Sequence, residues 1–332
     1  PMPRRILLLL LVVVLLPAAV IACATTPAEE TGDQTEGPPV ALTVDGGAAV
    51  AGVPSECADN ADMRACAVIE PGETIKIGFG GPMTGDNSAF GQDISQAGEI
   101  AVEDMGELDG FTFELVVQDD QGTGEGGAQV ANKLASDPTI VAIAGHTFSG
   151  STAAAIPIYD AARIPMLSGS ATKADLTTGD QDVFNRIAFT DDVQGTNAAR
   201  YLYETLAVRK LALMHDGDAY GQGLAQKVSE VFTELGGEVV AFEPITPGEV
   251  DYSGPLNAIG ALEPDALYYG GYNAEAAVLR NQMSVAGLAD VVFFSDDGTY
   301  GKNFLDLTGE NGEGTYATSA VPPASDEKTA FE

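Results

Sequence analysis

The chain has 332 residues and a formal net charge of −34, from 49 acidic and 15 basic residues. This balance excludes a nucleic-acid binder, which needs clustered lysines and arginines, and it opposes contact with an anionic membrane surface. Hydrophobic residues make up 45% of the chain, so a sizeable core can form. The first 70 residues or so have the patterns of a leader and a tether, and the remaining residues, about 260, suit one large or two small domains.

The first 23 residues have the pattern of a secretory signal. Arg4 and Arg5 precede an apolar run, Ile6–Leu16, and small residues then lead to Cys23. The last four residues, Val20–Cys23, resemble the lipobox of bacterial lipoproteins, which implies that Cys23 is lipidated and anchors the protein outside the cytoplasm. A single transmembrane anchor is the alternative, since the apolar stretch is nearly long enough to span a bilayer.

Residues 24–73 form a polar, acidic run rich in proline and glycine, which cannot bury enough apolar surface to fold alone. We interpret it as a tether. Cys57 and Cys66 lie within it, and two nearby cysteines outside the cytoplasm favour a disulfide. A metal site is the alternative, but His146 and His215 are both distant in sequence. We therefore predict a disulfide that closes a local loop.

From Ile75 onward, short apolar runs alternate with segments of helical periodicity. The predicted strands are Ile75–Gly80, Phe113–Asp119, Ile140–Ala144, Pro165–Ser168, Leu211–His215, Val239–Ile245, Ala266–Tyr269 and Val291–Ser295. The predicted helices are Ser88–Glu107, Gly126–Ser136, Ser149–Ala162, Gln194–Leu206, Tyr220–Leu235, Tyr252–Leu262, Glu275–Ala286 and Tyr300–Thr308. This alternation predicts an α/β fold with parallel sheets covered by helices, in which ligands bind at the carboxyl ends of the strands.

The alternation breaks once, after the strand Pro165–Ser168. A short predicted strand, Val183–Arg186, is followed by a polar segment, Asp191–Gly195, that leads into a helix. Domain boundaries usually fall in such polar segments, so we predict a crossing between two lobes here. The predicted lobes are residues 74–192 and residues 193–320.

Several patterns that would indicate an enzyme fail on inspection. Gly122–Gly127 matches the G-x-G-x-x-G pattern of dinucleotide sites, after a strand and before a helix. However, Asp119, Asp120 and Glu125 surround this loop, where two phosphates would have to sit. No G-x-S-x-G, H-E-x-x-H or Walker motif occurs. We therefore expect a protein that is not an enzyme and that needs no cofactor or metal.

Hydroxyl-rich turns follow two of the predicted strands. Ser149 opens a helix after Ile140–Ala144, and Ser170 and Thr172 follow Pro165–Ser168. A helix start offers free backbone N–H groups and the positive end of the helix dipole, so such turns suit a carboxylate.

An acid and several aromatic residues are predicted at the same rim. Asp297 follows the last predicted strand and could hold an ammonium group, and Phe90, Tyr220 and Tyr272 could supply aromatic walls. Carboxylate donors, one anion and aromatic walls together suit an amino-acid zwitterion. Ordinary loop capping explains each feature alone, so the prediction depends on their joint placement at strand ends.

The chain resembles the branched-chain amino acid binding proteins (leucine/isoleucine/valine type) of bacterial ABC transporters. The resemblance runs from Ile75 to about Val321, and its motifs occur in the family's order. The matching stretches are Ile75–Gly85, Gly145–Thr152, Met166–Thr172, His215–Gly223 and Tyr268–Tyr272. The resemblance implies a periplasmic-binding-protein type I fold, with two Rossmann-like lobes joined by a three-segment hinge.

The resemblance also implies roles for single residues, carried over by motif. Ser149, Ser170 and Thr172 would take the ligand carboxylate, with Ala171 in the same ligand-binding turn. Asp297 would take the ammonium group, Tyr220 and Tyr272 would close the pocket from the second lobe, and Phe90 would line the side-chain pocket.

The sequence departs from the family at three places. Phe148 stands where some members have a disulfide cysteine, and Asp297 is shorter than the glutamate of other members. The resemblance further implies that residues 321–332 begin a return to the first lobe and that the C-terminal part of that lobe is missing after Glu332.

The function implied is that of a monomeric, lipid-anchored, extracytoplasmic protein. It would capture an amino acid, branched-chain or similar, by lobe closure and deliver it to an ABC permease. A sensory ligand-binding module of the same fold is an alternative. A secreted hydrolase is an alternative from another class, with Ser149 as nucleophile and His146 as the only nearby base.

Overall fold

The computed structural model describes residues 67, 69–70 and 72–319 of the chain. The strands in this part are β1 (Thr74–Gly81), β2 (Thr112–Asp119), β3 (Ile140–Gly145), β4 (Met166–Ser168), β5 (Phe184–Arg186), β6 (Lys210–His215), β7 (Glu238–Pro244), β8 (Ala266–Gly270), β9 (Val292–Ser295) and β10 (Tyr316–Ala317). The α-helices are α1 (Ser88–Met105), α2 (Gly124–Ala135), α3 (Ser149–Ala162), α4 (Asp191–Arg200), α5 (Ala219–Glu234), α6 (Ser253–Gly260), α7 (Asn273–Met283) and α8 (Lys302–Thr308).

These strands form two five-stranded sheets. The first has the order β2-β1-β3-β4-β5 and the second has the order β10-β9-β8-β6-β7. Every strand pairing within them is parallel. The predicted α/β fold with two Rossmann-like lobes is therefore confirmed. Parallel strands end at one edge of each sheet, so each lobe offers one set of strand-end loops for binding.

The second sheet is buried on both faces, as β6 illustrates. Leu211 and Leu213 join a core cluster that includes residues of α4 and α5, whereas Ala212 and Met214 join a cluster that includes residues of α6 and α7. Alternate residues of a strand point to opposite faces, so a strand covered on both sides is apolar throughout. The first lobe has a separate cluster around Ile143, Tyr159 and Met166.

The chain passes between the lobes after β5. This strand is the edge of the first sheet, and α4, which begins at Asp191, packs against α5 of the second lobe. The residues that link the two lobes at this crossing are therefore 187–190. The predicted division between residues 192 and 193 lies in the first turn of α4.

Several predicted helix bounds differ from the structure, and the helix starts described next have a clear local cause. The helix predicted from Gln194 begins three residues earlier, because the extended Thr190 is followed by two acids that suit the positive end of a helix. After α4 the chain continues as a π-helix, Tyr201–Thr205. The helix predicted from Gly126 begins at Gly124, since the Thr123 hydroxyl caps it. The helix predicted from Tyr300 begins at Lys302, after an extended Gly301.

Strand β10 was not predicted. It is only two residues long and pairs with Phe294 and Ser295 of β9. Cys23, Cys57, Cys66 and the segment 321–332 lie outside the described residues. Within residues 72–319, each helix is too short or too polar to cross a bilayer.

Candidate functional site

Residues from both lobes line one narrow crevice, whose enclosed volume is about 50 Å³. The lobe 1 residues that line it are Phe90, Thr147, Phe148, Ser149 and Ser170. The lobe 2 residues are Tyr220, Tyr272, Asp297 and Gly298. Most of them follow directly after a strand or open the next helix. The crevice thus lies between the carboxyl edges of the two sheets, where parallel α/β sheets bind ligands.

The lobe 1 wall offers donors for an anion. Helix α3 begins at Ser149, and its N-cap residue, Phe148, has no polar side chain to satisfy the first-turn N–H groups. The Ser149 hydroxyl oxygen accepts the Lys173 N–H at 3.2 Å, so its own proton is still free to be donated. The Ser170 hydroxyl donates to the Thr147 carbonyl. A helix N-terminus with a serine hydroxyl is suited to a carboxylate.

The lobe 2 wall offers a fixed carboxylate. Asp297 Oδ1 accepts the Tyr220 hydroxyl at 2.6 Å and also accepts a hydrogen bond from Gln194 Nε2. Gln194 Nε2 is in turn 2.7 Å from Thr318 Oγ1. A carboxylate can accept about four hydrogen bonds, so the second oxygen of Asp297 retains capacity for a cation. Because its carboxylate is already oriented, little ordering is needed when an ammonium group arrives.

Aromatic rings form the remaining wall. Phe148 and Tyr272 stack across the crevice, with ring centroids 4.1 Å apart and planes at 20°. Phe90 lies edge-on to both, at 5.6 Å from Phe148 and 6.0 Å from Tyr272. Tyr220 is 5.4 Å from Tyr272. Two rings of lobe 1 therefore touch a ring of lobe 2, and this contact makes the crevice narrow and apolar on one side.

Buried acids lie behind Asp297. Asp296 is fully buried, and its Oδ2 accepts the Gly271 N–H at 2.9 Å. Burial, followed by the charge of Asp297, holds the pKa of Asp296 well above its usual value. Burial likewise raises the pKa of Asp191 to about 7, against the hydroxyl of Thr172 and the charge of Arg186. Because their raised pKa values keep these two acids partly or fully protonated near neutral pH, the negative charge that faces the crevice from lobe 2 is that of the Asp297 carboxylate, which favours the cationic end of a ligand there.

The structure gathers most of the predicted ligand residues at the crevice. Those that line it are Phe90, Ser149, Ser170, Tyr220, Tyr272 and Asp297. Ala171 and Thr172 are buried and are not part of its wall. The Thr172 carbonyl accepts the Asp191 N–H at 3.0 Å, so this residue connects the lobe 1 turn to the start of α4.

Four wall or support residues were missed by sequence reasoning. Thr147 and Phe148 stand in the strand-end turn that was singled out, so the strand-end rule could have included them. Gly298 follows Asp297 and could have been included on the same ground. Gln194 gave no such signal, since it lies inside α4 and reaches Asp297 only through the packing of that helix.

The catalytic alternatives have no support from the geometry. His146 is fully buried, its Nδ1 is 2.7 Å from Asp120 Oδ2, and its Nε2 is 3.2 Å from the Tyr159 hydroxyl. With both ring nitrogens occupied, it is not placed to act as a base for Ser149. In the glycine-rich loop, the Gly122 N–H donates to the Asp120 carboxylate, where a phosphate would need it. Within residues 72–319, no three His, Cys, Asp or Glu side chains are arranged to hold a metal ion.

The family model for periplasmic binding proteins matches residues 74–332. The chain belongs to this family. It is 35% identical over 227 residues to an amino acid binding protein of Pseudomonas aeruginosa, a match that covers 68% of the chain and 60% of that relative. It is 32% identical over 261 residues to Leu/Ile/Val-binding protein homolog 1 of Brucella abortus, which covers 77% and 69%.

A solved structure has the same architecture. The leucine binding protein LivK of Thermotoga maritima is 28% identical and superposes with a TM-score of 0.73, over 77% of this chain and 74% of that one. The chain therefore spans between three fifths and three quarters of the length of these relatives.

Proposed function

We propose that this protein is an extracytoplasmic solute-binding lipoprotein. It captures an amino acid, branched-chain or similar, by closure of two lobes and delivers it to an ABC permease. The observation that carries the proposal is the opposition of two polar groups across one crevice. The N-terminus of α3 with Ser149 faces Asp297 with Tyr220, and aromatic rings separate them from solvent on one side.

The two ends of an amino acid match the two walls. The carboxylate binds the Ser149 hydroxyl on lobe 1, across the crevice from Asp297, and the Ser170 hydroxyl turns from the Thr147 carbonyl to donate to it. The ammonium group binds the free oxygen of Asp297 on lobe 2. The reverse orientation would place the ligand carboxylate beside the Asp297 carboxylate, which like-charge repulsion disfavours.

The side chain of the ligand lies against the aromatic wall. Phe90, Phe148 and Tyr272 offer apolar surface without a charged group, which favours an aliphatic side chain over a charged one. The names of the relatives, which refer to leucine, isoleucine and valine, support the same ligand class.

Lobe closure is the step that retains the ligand. An amino acid can shift the open and closed populations only by binding the closed form more tightly. Closure brings donors from both lobes to the same molecule and excludes water, which strengthens charge-assisted hydrogen bonds.

A ligand screen tests the proposal. The purified protein is heated with each of the twenty common amino acids, and those that raise its melting temperature are titrated by calorimetry. We expect leucine, isoleucine or valine to bind with a dissociation constant of about 1 μM, equivalent to about −8 kcal/mol. Leucine amide, which lacks the carboxylate, should bind far more weakly. A protein that no amino acid stabilises, or one that binds the amide as tightly as leucine, would contradict the proposal.

Lipid attachment is tested separately. Cells that express the full chain are grown with an alkyne-bearing palmitate, and the protein is examined for incorporated label. Label is expected on the native chain and on Cys57→Ser, and it should be lost on Cys23→Ser. Equal labelling of all three proteins would refute the anchor at Cys23.

A further inference from the structure

The first turns of α3 and α5 meet across the two lobes. A Cβ atom placed on Gly150 would lie only 2.3 Å from Asp218 Oδ1 and 2.9 Å from Asp218 Oδ2. Real Cβ atoms do not approach oxygen so closely, so a side chain at position 150 would displace the Asp218 carboxylate from this position. The close approach joins the helix start of lobe 1 to a carboxylate of lobe 2.

Asp218 also serves its own helix. It is the N-cap residue of α5, and its Oδ2 accepts the Tyr220 N–H at 3.4 Å. Burial raises the pKa of this carboxyl, while backbone N–H groups of Tyr220, Ala219 and Gly150 lower it. The carboxylate thus caps α5 and at the same time lies against the first turn of α3, which belongs to the other lobe.

The electrostatics favour this position. The N-terminus of each helix carries a partial positive charge, and a carboxylate between two such ends interacts with both. The neighbouring acid Asp216 acts against this effect, because a negative charge on either Asp216 or Asp218 makes ionisation of the other less favourable. The carboxylate caps α5 from within its own lobe, whereas it reaches α3 only across the interface between the lobes.

We propose that Asp218 is an interlobe positioning residue, whose carboxylate holds the N-terminus of α3 in the closed state and so retains the ligand. The residue does not line the crevice. The inference rests on the proposed amino-acid binding, because its main readout is ligand affinity. It assigns Gly150 a role as well, since only glycine leaves space for the carboxylate.

The main test compares Asp218→Asn with wild type in calorimetry and stopped flow, with L-leucine as probe. Asparagine is as good an N-cap as aspartate, so α5 should fold normally while the charge is lost. We expect leucine to bind about fivefold more weakly and to dissociate faster. The matched control is Asp251→Asn, which removes an exposed acid before α6 that accepts the Ser253 N–H far from the crevice. The control should bind leucine like wild type.

A second pair of variants tests the contact itself. Gly150→Ala should weaken leucine binding by about tenfold, because its methyl group occupies the carboxylate position. In the Asp218→Ala background, Gly150→Ala should weaken leucine binding much less, because the carboxylate that the methyl group would meet is gone. Gly254→Ala is the control glycine, because nothing lies within 4 Å of its added Cβ.

The outcomes separate this inference from the proposed function. The positioning role is refuted, while amino-acid binding stands, if two results are found together. Asp218→Asn binds leucine as tightly as wild type, and Gly150→Ala weakens leucine binding equally in the wild-type and Asp218→Ala backgrounds. If wild type binds no amino acid, small-angle X-ray scattering of the ligand-free proteins tests whether Asp218 holds the two lobes together. Asp218→Asn and Gly150→Ala should then have a larger radius of gyration than wild type and both controls, and equal radii would refute the role.

Discussion

Asp297 is held by side chains that come from distant parts of the chain. Tyr220 belongs to the first turn of α5, and Gln194 belongs to α4, 103 residues away. Both donate to the same carboxylate oxygen, which orients the other oxygen for a ligand. At the scale of single residues, the site therefore depends on one acid and two supporting donors.

Removal of this acid should impair binding selectively. We expect Asp297→Ala to weaken leucine binding by at least about tenfold, because the ammonium group would lose its charged partner in a site shielded from water. Isothermal calorimetry measures the change. Asp306→Ala, which removes an exposed acid of α8, is the control and should leave affinity unaltered. Equal affinities of wild type and Asp297→Ala would exclude the ammonium role.

Asp191 should make stability depend on pH. Its pKa is raised to about 7 by burial, above the ordinary value of 3.8, so the folded state holds a proton that the unfolded state has released between these pH values. The stabilisation is complete below about pH 4 and is lost as pH rises through about 7. We expect Asp191→Asn to be about 1–2 kcal/mol more stable than wild type at pH 8, and to gain nothing at pH 4.

Urea unfolding at a series of pH values measures this effect. The variant should show a shallower decline between pH 4 and pH 8 than wild type. The exposed Asp251→Asn serves again as control, because burial contributes almost nothing to its pKa. Parallel curves for wild type and Asp191→Asn would show that this carboxyl is not the titrating group.

At the scale of elements, the packing of α2 on α3 positions the turn that opens α3. A Cβ on Gly127 would lie 2.5 Å from the carbonyl oxygen of Ser151, so the two helices approach closely at the first turns of both. The glycine-rich loop that imitates a nucleotide motif thus has a packing role. It allows α2 to support the start of α3, from which Ser149 faces the crevice.

Helix α5 depends on its apolar face. Leu224, Ala225, Val228 and Phe232 are all fully buried, as their spacing of three and four residues predicted. We expect Phe232→Ala to reduce the free energy of unfolding by about 3–5 kcal/mol, because it leaves a cavity between α5 and the second sheet. Leu305→Ala, at a residue that is 58% exposed, is the matched control and should cost less than about 1 kcal/mol.

Urea denaturation of both variants provides the comparison. If Phe232→Ala lowered the free energy of unfolding by less than about 1 kcal/mol, the surrounding core would have collapsed into the cavity, which would contradict the expected cost of a cavity in a closely packed core.

At the scale of the whole molecule, the lobes touch through aromatic rings and through Asp218. The stack of Phe148 on Tyr272 joins lobe 1 to lobe 2, since each ring comes from a different sheet's strand-end loops. Such contacts exist only when the lobes are together. In the proposed closure mechanism, the energy of these contacts contributes to closure and, through closure, to ligand affinity.

A double-mutant cycle on this pair should reveal coupling. We expect Phe148→Ala and Tyr272→Ala each to weaken leucine binding, with an interaction energy of about 0.5–1.5 kcal/mol between them. Calorimetry on the two single variants and the double variant measures it. Phe304→Ala breaks a stack with Phe293 inside lobe 2 and should lower stability without this coupling. Strictly additive effects of the first pair would indicate that the rings do not meet in the bound state.

Much of the site followed from local pattern. The strand-end rule identified Ser149, Ser170 and Asp297 as rim residues, because each follows a strand that apolar runs predict. The same rule gave no information on which strand-end residues face inward. Thr172 was grouped with the two serines, yet it is turned toward Asp191 and is not part of the wall.

The sequence by itself determined the alternation of strands and helices, the two parallel sheets and the polar character of their carboxyl edges. These depend on periodicity and on turn residues, which act over a few positions along the chain. Only the tertiary structure decided that Gln194 supports Asp297, that Phe148 stacks on Tyr272 and that Gly150 receives Asp218. Each of these contacts joins residues that are far apart in sequence, and the packing of one lobe against the other sets their distance. That packing is a property of the assembled chain and is not encoded in any local run of residues.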